Sequence, residues 1–450
     1  MSLELKRSWC GLQVNLTKIK FLGYILLSLS VVALVGAEEN GFSPLDEDCY
    51  VFNIDPSCRP KPKIIKPKSV KKVIVRSNFN KDEIVLLYSA ENDSDVQRVA
   101  EQYGLKTIEK VNLASIKTGM LLANTGGKNP LKLSKRINKV EKNIEATTNN
   151  TFGLASLSLL PASKNGVNYS MNATGVDSVH QTTKGQGVKI CMVDTPIDIY
   201  HSSFANARID TLDFTDYTPD TAASLLHGTL VAGVIISQNN HIGIAPNAHL
   251  LSVGAFGYSK KAPHRLQGSS SDIAKAVNSC IQYKADIINL SFTGGRDSLL
   301  EKVVKKAIEK GIVVVAAAGN GGYWGSTIYP ALIPGVLTAT ATDKNRKLYE
   351  LANRGSFVDI AAPGVDILTL APGDKYELAS GTSISTAHVT GIVALLLSQQ
   401  RAEPISKTIS ESALDLGKPG RDQEFGDGLI SASRALTILK RGRARSSVGH

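Results

Sequence analysis

The chain has 450 residues, which exceeds one typical domain and predicts two or three folded units. Its hydrophobic content of 42% and charged content of 20% are those of an ordinary globular protein, which excludes a disordered or fibrous chain. The net charge of +11 lies outside the middle of the chain, because residues 161–439 contain 24 basic and 24 acidic side chains. A solvated leader and tail explain the excess, so we predict no nucleic-acid partner.

Residues 1–37 have the pattern of a targeting segment. Two lysines precede an uncharged run from Phe21 to Ala37, and small residues end this run before "EEN". A basic region, an apolar region and a small-residue cleavage site are typical of a signal peptide. The long basic region leaves an uncleaved signal anchor as the alternative, and only then does the protein stay at a membrane. In both cases we predict a secreted, periplasmic or otherwise extracytoplasmic protein.

Residues 38–81 form a Pro- and Lys-rich stretch, for which we predict an extended linker. Three prolines in "CRPKPKIIKPKSVKKVIVR" interrupt regular structure. Cys49 and Cys58 are spaced so that they can close a short disulfide loop in an oxidising compartment. Cys191 and Cys280 fall in a strand-like and a helix-like run, and we interpret them as buried small hydrophobic residues.

Residues 82–146 predict a small α+β domain. The run "EIVLLYS" is strand-like and "DSDVQRVAEQYGL" has helical periodicity, after which two strands, a helix and a short final strand follow. The order β-α-β-β-α-β is that of a ferredoxin-like fold. Residues 147–172 are polar, rich in Asn and Ser and weakly patterned, so we predict an exposed connector there.

Between residues 173 and 439, short Val- and Ile-rich strands alternate with helices. This alternation predicts a parallel sheet with helices on both faces, which is a three-layer α/β/α architecture. In such sheets ligands bind beyond the carboxyl ends of the strands. The remaining residues, 440–450, are predicted to be a basic tail.

Four polar residues fall at predicted element boundaries near this edge of the sheet. Asp194 ends "KICMVD" and His227 opens an apolar helix. Asn320 follows "IVVVAAAG", and Ser383 lies in a Gly/Ser turn before a second apolar helix. Singly, such residues are usually turn formers or helix caps. Together they provide the carboxylate, base, oxyanion donor and nucleophile that acyl transfer needs.

The motifs "VDTPID", "HGTLVAG", "AAAGN" and "SGTSISTAHVTG", in this order, resemble those of the subtilisin-like serine peptidases. The resemblance covers about residues 175–438 and includes "GIAPNAHL", "AAPG" and "FGDGLISA". It implies that Ser383 is the nucleophile and that His227 is the general base and then the general acid. It also implies that Asp194 orients the imidazole and that Asn320 donates to the oxyanion.

The resemblance further implies an edge that pairs with the backbone of a bound peptide. The residues carried over as substrate-binding are Leu290, Ser291, Phe292, Thr293, Gly294, Ala318 and Gly319. Thr293 stands where members of the family usually have Gly, which predicts a narrow pocket for the side chain at the scissile bond. Pro196, which replaces a usual Gly, and Leu230, which replaces a frequent His, are further departures.

Calcium is the only cofactor that the resemblance brings into question. The loop "SQNNH" after the predicted His227 helix is short for the family's strongest calcium site. We therefore predict no certain cofactor and assign no metal ligand, although oxygen ligands elsewhere in the chain leave calcium open.

The small domain at 82–146 resembles, by its pattern, the inhibitory propeptides (inhibitor I9-like) of this family. Such a propeptide templates folding and then blocks the cleft, and maturation would cut within 147–172 to release the catalytic domain at 173–439. We therefore predict a secreted, self-processed serine endopeptidase with polypeptide substrates and its own propeptide as inhibitor. The alternative is a catalytically impaired pseudo-peptidase that keeps the fold as a binding module.

Overall fold

The structure is a computed structural model, which describes residues 78–154, 157–162, 168–215, 221–259, 262–322, 325, 328–400 and 404–447. The predicted leader at 1–37, the Cys49 and Cys58 pair and nearly all of the predicted linker at 38–81 lie outside these residues. The described part consists of a small α+β domain followed by a larger α/β domain.

The small domain has the predicted ferredoxin-like order β-α-β-β-α-β. Its elements are β1 (Phe79–Ser89), α1 (Asp93–Gln102), β2 (Lys106–Leu113), β3 (Thr118–Asn124), α2 (Pro130–Val140) and β4 (Ile144–Leu154). The strands pair antiparallel in the spatial order β2-β3-β1-β4.

Alternation along β1 gives the sheet of the small domain two buried faces. Ile84 and Leu86 belong to a core that includes side chains of α1 and α2. Val85 and Leu87 belong instead to a core that includes side chains of the large domain. Because successive strand side chains point to opposite faces, one strand contributes to both cores.

The large domain contains thirteen strands and eight helices among the described residues. The strands are β5 (Ser158–Pro161), β6 (Lys189–Asp194), β7 (Arg208–Asp213), β8 (His249–Gly254), β9 (Gly257–Ser259), β10 (Ala262–Ser269), β11 (Ile287–Leu290), β12 (Phe292–Gly294), β13 (Val313–Ala317), β14 (Leu337–Thr342), β15 (Ile360–Pro363), β16 (Ile367–Ala371) and β17 (Lys375–Ser380). The helices are α3 (Tyr169–Thr174), α4 (Val176–Val179), α5 (Ala222–Ile236), α6 (Ser270–Gln282), α7 (Ser298–Glu309), α8 (Thr382–Leu397), α9 (Ile405–Ser412) and α10 (Ala432–Ser447).

Seven of these strands form a parallel sheet in the spatial order β15-β14-β13-β11-β6-β8-β7. Ile190 and Met192 of β6 face α5 and α8, whereas Cys191 and Val193 face α6 and α7. Strands that are buried on both faces are apolar along their whole length, as the runs in the sequence are. The three-layer α/β/α architecture is thereby confirmed.

The helices α5 and α8 are apolar on every side. Each residue of α8 from Thr382 to Leu397 is buried, as is each residue of α5 from His227 to Ile236. A helix that is hydrophobic all round is stable only inside a core. Among the described helices, none combines the length and apolar character needed to cross a membrane.

Several predicted boundaries are wrong. β1 begins at Phe79, inside the predicted linker, and β4 continues to Leu154. Residues 147–154 are therefore a paired strand and not an exposed connector, because their polar side chains find partners in the large domain. The large domain begins before residue 173, with β5 and α3, and the predicted tail from 440 continues α10.

A disulfide joins Cys191 of β6 to Cys280 of α6, with the two Cα atoms 5.5 Å apart. The interpretation of these cysteines as buried small residues is right about burial and wrong about bonding. The two residues are 89 positions apart in sequence. Only the packing of α6 on the sheet brings them together, which the sequence does not reveal.

Replacing both cysteines with alanine (C191A/C280A) should lower the free energy of unfolding by about 2–5 kcal/mol, because the cross-link restricts the unfolded chain. Each single variant should lose nearly as much as the double variant, since either change removes the same bond. Thermal unfolding measures the loss, and peptide mapping without reductant identifies the bond. Losses that simply add from the two single variants would contradict the cross-link.

Candidate active site

Asp194 is the last residue of β6 and is fully buried at the carboxyl edge of the parallel sheet. Its Oδ1 accepts hydrogen bonds from the backbone N–H of Thr195 and from Nδ1 of His227, both at 2.7 Å. A buried carboxylate is costly unless donors of this kind compensate for lost water. The end of the strand thus holds a negative charge against the imidazole.

His227 lies in the second turn of α5, which begins at Ala222 and not at the histidine itself. Its Nδ1 is 2.7 Å from Oδ1 of Asp194, and its Nε2 is 3.1 Å from Oγ of Ser383. Because an ionised carboxylate can only accept, Nδ1 carries the proton and Nε2 is the acceptor. This tautomer is the one that can take a proton from the serine hydroxyl.

The contact between α5 and the end of β6 requires a glycine after the histidine. A Cβ atom on Gly228 would lie 2.4 Å from the backbone oxygen of Thr195. The N–H of Gly228 donates to Oγ1 of Thr195 at 2.9 Å. This close approach holds the helix against the strand and thereby sets the distance from Asp194 to His227.

Ser383 is the second residue of α8, so its hydroxyl lies at the helix N-terminus. Its Oγ is 3.1 Å from Nε2 of His227 and 3.1 Å from the backbone oxygen of Ser291. The single hydroxyl proton can point toward either acceptor, and only the direction toward Nε2 prepares its transfer. Backbone N–H groups in the first helical turn have no partners within the helix, which favours negative charge beside Ser383.

Asn320 follows β13 and faces the start of α8. Its Oδ1 accepts hydrogen bonds from the backbone N–H of Thr382 at 3.1 Å and from the hydroxyl of Thr382 at 2.8 Å. These two bonds fix the orientation of the amide: its oxygen is directed toward Thr382, and its nitrogen, the other atom on the amide carbon, is not. Thr382 was not among the predicted site residues, although it directly precedes the serine in "SGTS".

A series of buried hydrogen bonds supports Ser291 beside the nucleophile. Oγ1 of Thr390, on α8, donates to Oδ1 of Asn289 at 2.9 Å, and Nδ2 of Asn289 donates to Oγ of Ser291 at 2.9 Å. Oγ of Ser291 in turn donates to the backbone oxygen of Ser383 at 3.4 Å. Asn289 and Thr390 were not among the predicted site residues. The sequence signal that could have identified them is a polar residue within an otherwise apolar strand or helix.

The predicted substrate-binding stretch from Leu290 to Gly294 is divided by the structure into two parts. Leu290 ends β11 and pairs with strands on both sides, so its backbone has no edge for a substrate. Its assignment to the substrate edge is therefore wrong. Ser291 and the residues of β12, Phe292 to Gly294, lie beyond the sheet and beside Ser383. Ala318 and Gly319 connect β13 to Asn320.

The end of β4 occupies the groove that starts at β12. Residues 152–154 pair antiparallel with β12 on one side. Residues 151–153 pair antiparallel with β10 on the other side. β10 was not predicted to be a wall of the groove, because "RLQGS" carries no catalytic motif. The chain thus places its own strand where the resemblance implied a bound peptide.

The loop after α5 does not fit a calcium ion. It contains no carboxylate in "SQNNHI", and Oδ1 of Asn239 accepts from the backbone N–H of His241 at 3.0 Å. Nε2 of Gln238 donates to the backbone oxygen of Pro246 at 2.7 Å. Calcium takes about six to eight oxygen ligands. In the described ranges of the chain, no group of three or more His, Cys, Asp or Glu side chains is arranged to hold a metal.

A carboxylate, an imidazole and a serine hydroxyl in one hydrogen-bonded series, on a three-layer α/β/α fold, define a serine hydrolase. The model of the subtilase family matches residues 185–428, which is more than half of the chain. The chain belongs to the subtilase family, and it is a serine-type endopeptidase.

Individual relatives agree with this assignment. The thermophilic serine proteinase of Bacillus sp. (strain AK1) is 36% identical over 281 residues, which cover 60% of this chain and 67% of that protein. Subtilisin E of Bacillus subtilis (strain 168) is 33% identical over 60% of this chain and 71% of its own length. The crystal structure of fervidolysin from Fervidobacterium pennivorans has a similar fold, with a TM-score of 0.70 at 22% identity. That match covers 80% of this chain and 61% of fervidolysin.

His388 lies on α8 beyond Ser383 and is completely buried. Its Nδ1–H donates to the backbone oxygen of Ile384 at 3.0 Å. Burial lowers the pKa of His388 to about 4. The side chain is therefore neutral at ordinary pH and packs within the helix that carries the nucleophile.

His388 should reduce the stability of the folded protein in acid. Its pKa is about 4 in the folded state and 6.5 in a model peptide, so the unfolded chain takes up the proton first as the pH falls. The contribution of neutral His388 to the free energy of unfolding is fully present above pH 6.5. This contribution is lost as the pH falls toward 4, by roughly 3 kcal/mol in total. Denaturant unfolding compares the inactive S383A protein with the same protein carrying His388→Gln. The free energy of unfolding should depend less steeply on pH in the protein that carries His388→Gln. Identical slopes would assign the acid sensitivity to other groups.

Proposed function

We propose that the protein is an exported serine endopeptidase, made as a self-processed zymogen, that hydrolyses polypeptides through an Asp194–His227–Ser383 triad. Asn320 completes the site as a donor to the oxyanion. The observation that carries this proposal is the continuous series of hydrogen bonds, with 2.7 Å from Asp194 to His227 and 3.1 Å from His227 to Ser383. Both distances are within the range that proton transfer requires.

In the first half of the reaction, Oγ of Ser383 attacks the carbonyl carbon of the scissile bond and its proton moves to Nε2 of His227. Asp194 stabilises the resulting imidazolium without accepting the proton. His227 then gives the proton to the leaving amine, the C–N bond breaks, and an acyl ester remains on Ser383. In the second half, His227 deprotonates a water that hydrolyses the ester and restores the serine hydroxyl.

The carbonyl oxygen of the substrate becomes negative during each attack. We assign Nδ2 of Asn320 and the backbone N–H of Ser383 as its donors. The two hydrogen bonds from Thr382 to Oδ1 of Asn320 hold the amide in place before the reaction begins. A donor that is already oriented stabilises the developing charge without reorganisation, which is where such sites gain most of their effect.

The end of β4 supports self-processing. Residues 152–154 lie in the groove as a third strand, which is how an extended peptide binds to a sheet edge. Leu154 is opposite Phe292, and the residue before Phe292, Ser291, contacts Ser383. Leu154 thus lies opposite the direct neighbour of the residue that contacts Ser383. We place the maturation cut at one of the bonds between residues 154 and 158, within the predicted range of 147–172.

Polar contacts support a role for the small domain as an inhibitor. Nδ2 of Asn150 donates to Oδ2 of Asp297 at 2.8 Å. Asp297 is the residue that caps the N-terminus of α7. Oδ1 of Asn149 accepts from the backbone N–H of Ser271 in the first turn of α6 at 3.1 Å. The small domain thus contributes to the N-termini of both helices on this face, where backbone N–H groups lack partners.

An aromatic pocket supports a preference for substrates with a large apolar residue upstream of the cut. The ring of Phe152 contacts Phe292 with 5.8 Å between centroids, and Phe256 lies 5.0 Å from Phe292. A Cβ atom on Gly294 would lie 2.1 Å from Phe152, so only glycine leaves room for the ring there. Once β4 has left the groove, an aromatic side chain of a substrate fits the same space.

The disulfide between Cys191 and Cys280 supports export, because such bonds persist mainly in oxidising compartments. The leader at 1–37, which lies outside the described residues, supplies the route as a signal peptide or a signal anchor. N-terminal sequencing of the exported protein distinguishes the two, since an anchor retains Met1.

The triad predicts a clear outcome for Ser383→Ala. Wild type should react with a fluorophosphonate probe and yield a mature form of about 30 kDa, from ~110 Da per residue. N-terminal sequencing should place its start between residues 155 and 158. The S383A variant should remain an unlabelled full-length precursor, because it has no nucleophile.

Ser385→Ala is the matched control. Ser385 lies on the same helix and is equally buried, but its hydroxyl donates to the backbone oxygen of Thr382 and not to His227. S385A should therefore mature and react with the probe as wild type does. A wild-type protein freed of its small domain that remains unlabelled at neutral pH would favour the pseudo-peptidase, which binds polypeptides without cutting them.

Asn320→Ala should slow the reaction by about 10²–10³-fold, which is typical for removal of one oxyanion donor. The rate at which purified precursor processes itself measures this directly, without mature enzyme. Because the amide acts on the transition state, KM of the mature enzyme for peptides should change little while kcat falls. An N320A variant with a raised KM and an unchanged kcat would assign Asn320 to substrate binding instead.

A further inference from the structure

Asn320 lies between two glycines, so its own backbone does not fix its position. Gly319 precedes it with a φ of 98°, and Gly321 follows it. Glycine is the residue with the widest choice of backbone conformations, so local sterics hold such a segment only weakly. A donor to the oxyanion must nevertheless be in place before the reaction, since its effect comes from preorganisation. The position of Asn320 must therefore be set by contacts from outside this segment.

Asn353, in the loop between β14 and β15, provides such contacts. Its side chain is buried, with a relative exposure of 1%. Its Nδ2 donates to the backbone oxygen of Ala318 at 2.8 Å, and its Oδ1 accepts from the backbone N–H of Gly321 at 2.8 Å. Its own backbone N–H donates to the backbone oxygen of Gly319 at 2.9 Å. One residue thus bonds the main chain on both sides of Asn320.

Three glycines leave the space that the side chain of Asn353 fills. A Cβ atom on Gly319 would lie 2.5 Å from Nδ2 of Asn353, and one on Gly325 would lie 1.9 Å from its Oδ1. A Cβ atom on Gly321 would lie 3.0 Å from the same Oδ1. A buried amide is costly unless it is hydrogen-bonded, so its loss leaves main-chain groups without their partners. The glycine segment and Asn353 therefore form one packed unit, and a change at Asn353 reaches Asn320.

Asn353 and Thr382 act on different parts of Asn320. Thr382 bonds the side-chain oxygen of Asn320 and thereby sets the rotation of the amide. Asn353 bonds the neighbouring main chain and thereby sets the place from which the amide extends. Both must be correct for Nδ2 to reach the oxyanion, and a misplacement of about 1 Å can reduce a rate by ~10²-fold.

We propose that Asn353 is a positioning residue for the oxyanion donor, because its hydrogen bonds hold the main chain around Asn320 before Ser383 attacks. The proposal rests on the proposed role of Asn320 and adds a residue from a separate loop. Since Asn353 acts through Asn320, it should influence the rate only while the amide of Asn320 is present.

Self-processing of four full-length precursors tests the proposal: wild type, Asn353→Ala, Asn320→Ala and the double variant N320A/N353A. Each is purified in denaturant and diluted to start folding, and the rate constant is taken from the time course of cleavage. Misfolded precursor lowers the amplitude of cleavage and not its rate constant. Circular dichroism follows folding separately, so that slow folding is not counted as slow cleavage.

N353A should process itself about 10–100-fold more slowly than wild type, because the donor is misplaced. In the N320A background, the same change should slow processing by less than about twofold, because no donor is left to misplace. In mature N353A, kcat for peptides should fall with little change in KM, as expected for a group that acts on the transition state.

Two further variants separate bonding from packing and from general destabilisation. Asn353→Asp keeps the size of the side chain and an acceptor for Gly321, but an ionised carboxylate has no donor for the oxygen of Ala318. It should be as slow as N353A. Asn168→Ala is the matched control, because Asn168 is also buried and its Nδ2 donates to the backbone oxygen of Leu368 at 3.3 Å. N168A should process at the wild-type rate.

The outcomes keep this proposal distinct from the proposed function. If wild type does not process, or if N320A processes as fast as wild type, the oxyanion assignment fails and the role of Asn353 fails with it. If N320A is slow and N353A is not, only the role of Asn353 is overturned. Equal losses from N353A in both backgrounds, or a wild-type rate for N353D, would also overturn it, since they would assign Asn353 to general stability or to packing.

Discussion

The burial of α8 along its whole length, and of α5 from His227 onward, on one face of the parallel sheet is the constraint on which the site depends. His227 lies on α5 and Ser383 on α8, whereas Asp194 ends the sheet's strand β6. Oγ1 of Thr369 donates to the backbone oxygen of Leu230 at 2.7 Å, which anchors α5 within the core. A helix packed on all sides cannot slide without opening cavities, and each large one costs about 2–5 kcal/mol. The hydrogen-bonded distances in the site are therefore maintained by the core, at little cost to the reaction itself.

The same constraint explains which parts of the molecule are predictable from the sequence. Helices buried on every side and strands buried on both faces leave long apolar runs, so the architecture follows from them. Asp194, His227, Asn320 and Ser383 stand out because each ends such a run or lies in its first turns, and all but Asp194 have a glycine within two residues. Leu290 shows the limit of this reasoning: the motif includes it, but whether a backbone edge is free depends on strand pairing.

Long-range polar contacts are the part of the structure that the sequence does not predict. The last residues of β4 are polar, and polar stretches usually indicate loops. Here Asn150 is bonded to Asp297, and the two are 147 positions apart in sequence. Burial raises the pKa of Asp297, and Asn150 and the N–H groups at the start of α7 oppose that effect. The strand is thus stabilised by partners from another domain. The disulfide likewise depends on a long-range contact, because its cysteines lie 89 positions apart in sequence within the large domain. No local sequence pattern predicts the contact between Asn150 and Asp297 or the disulfide.

These polar contacts also suit the proposed release of the small domain. On release, groups such as Asn149 and Asp297 would exchange their partners for water, whereas a purely apolar interface would leave a large exposed patch. The apolar part of the contact includes Val85 and Leu87 of β1 and also Phe152, which precedes the proposed cut. Binding energy from side chains away from the cut can hold a strand in the groove whatever residue stands at the cut.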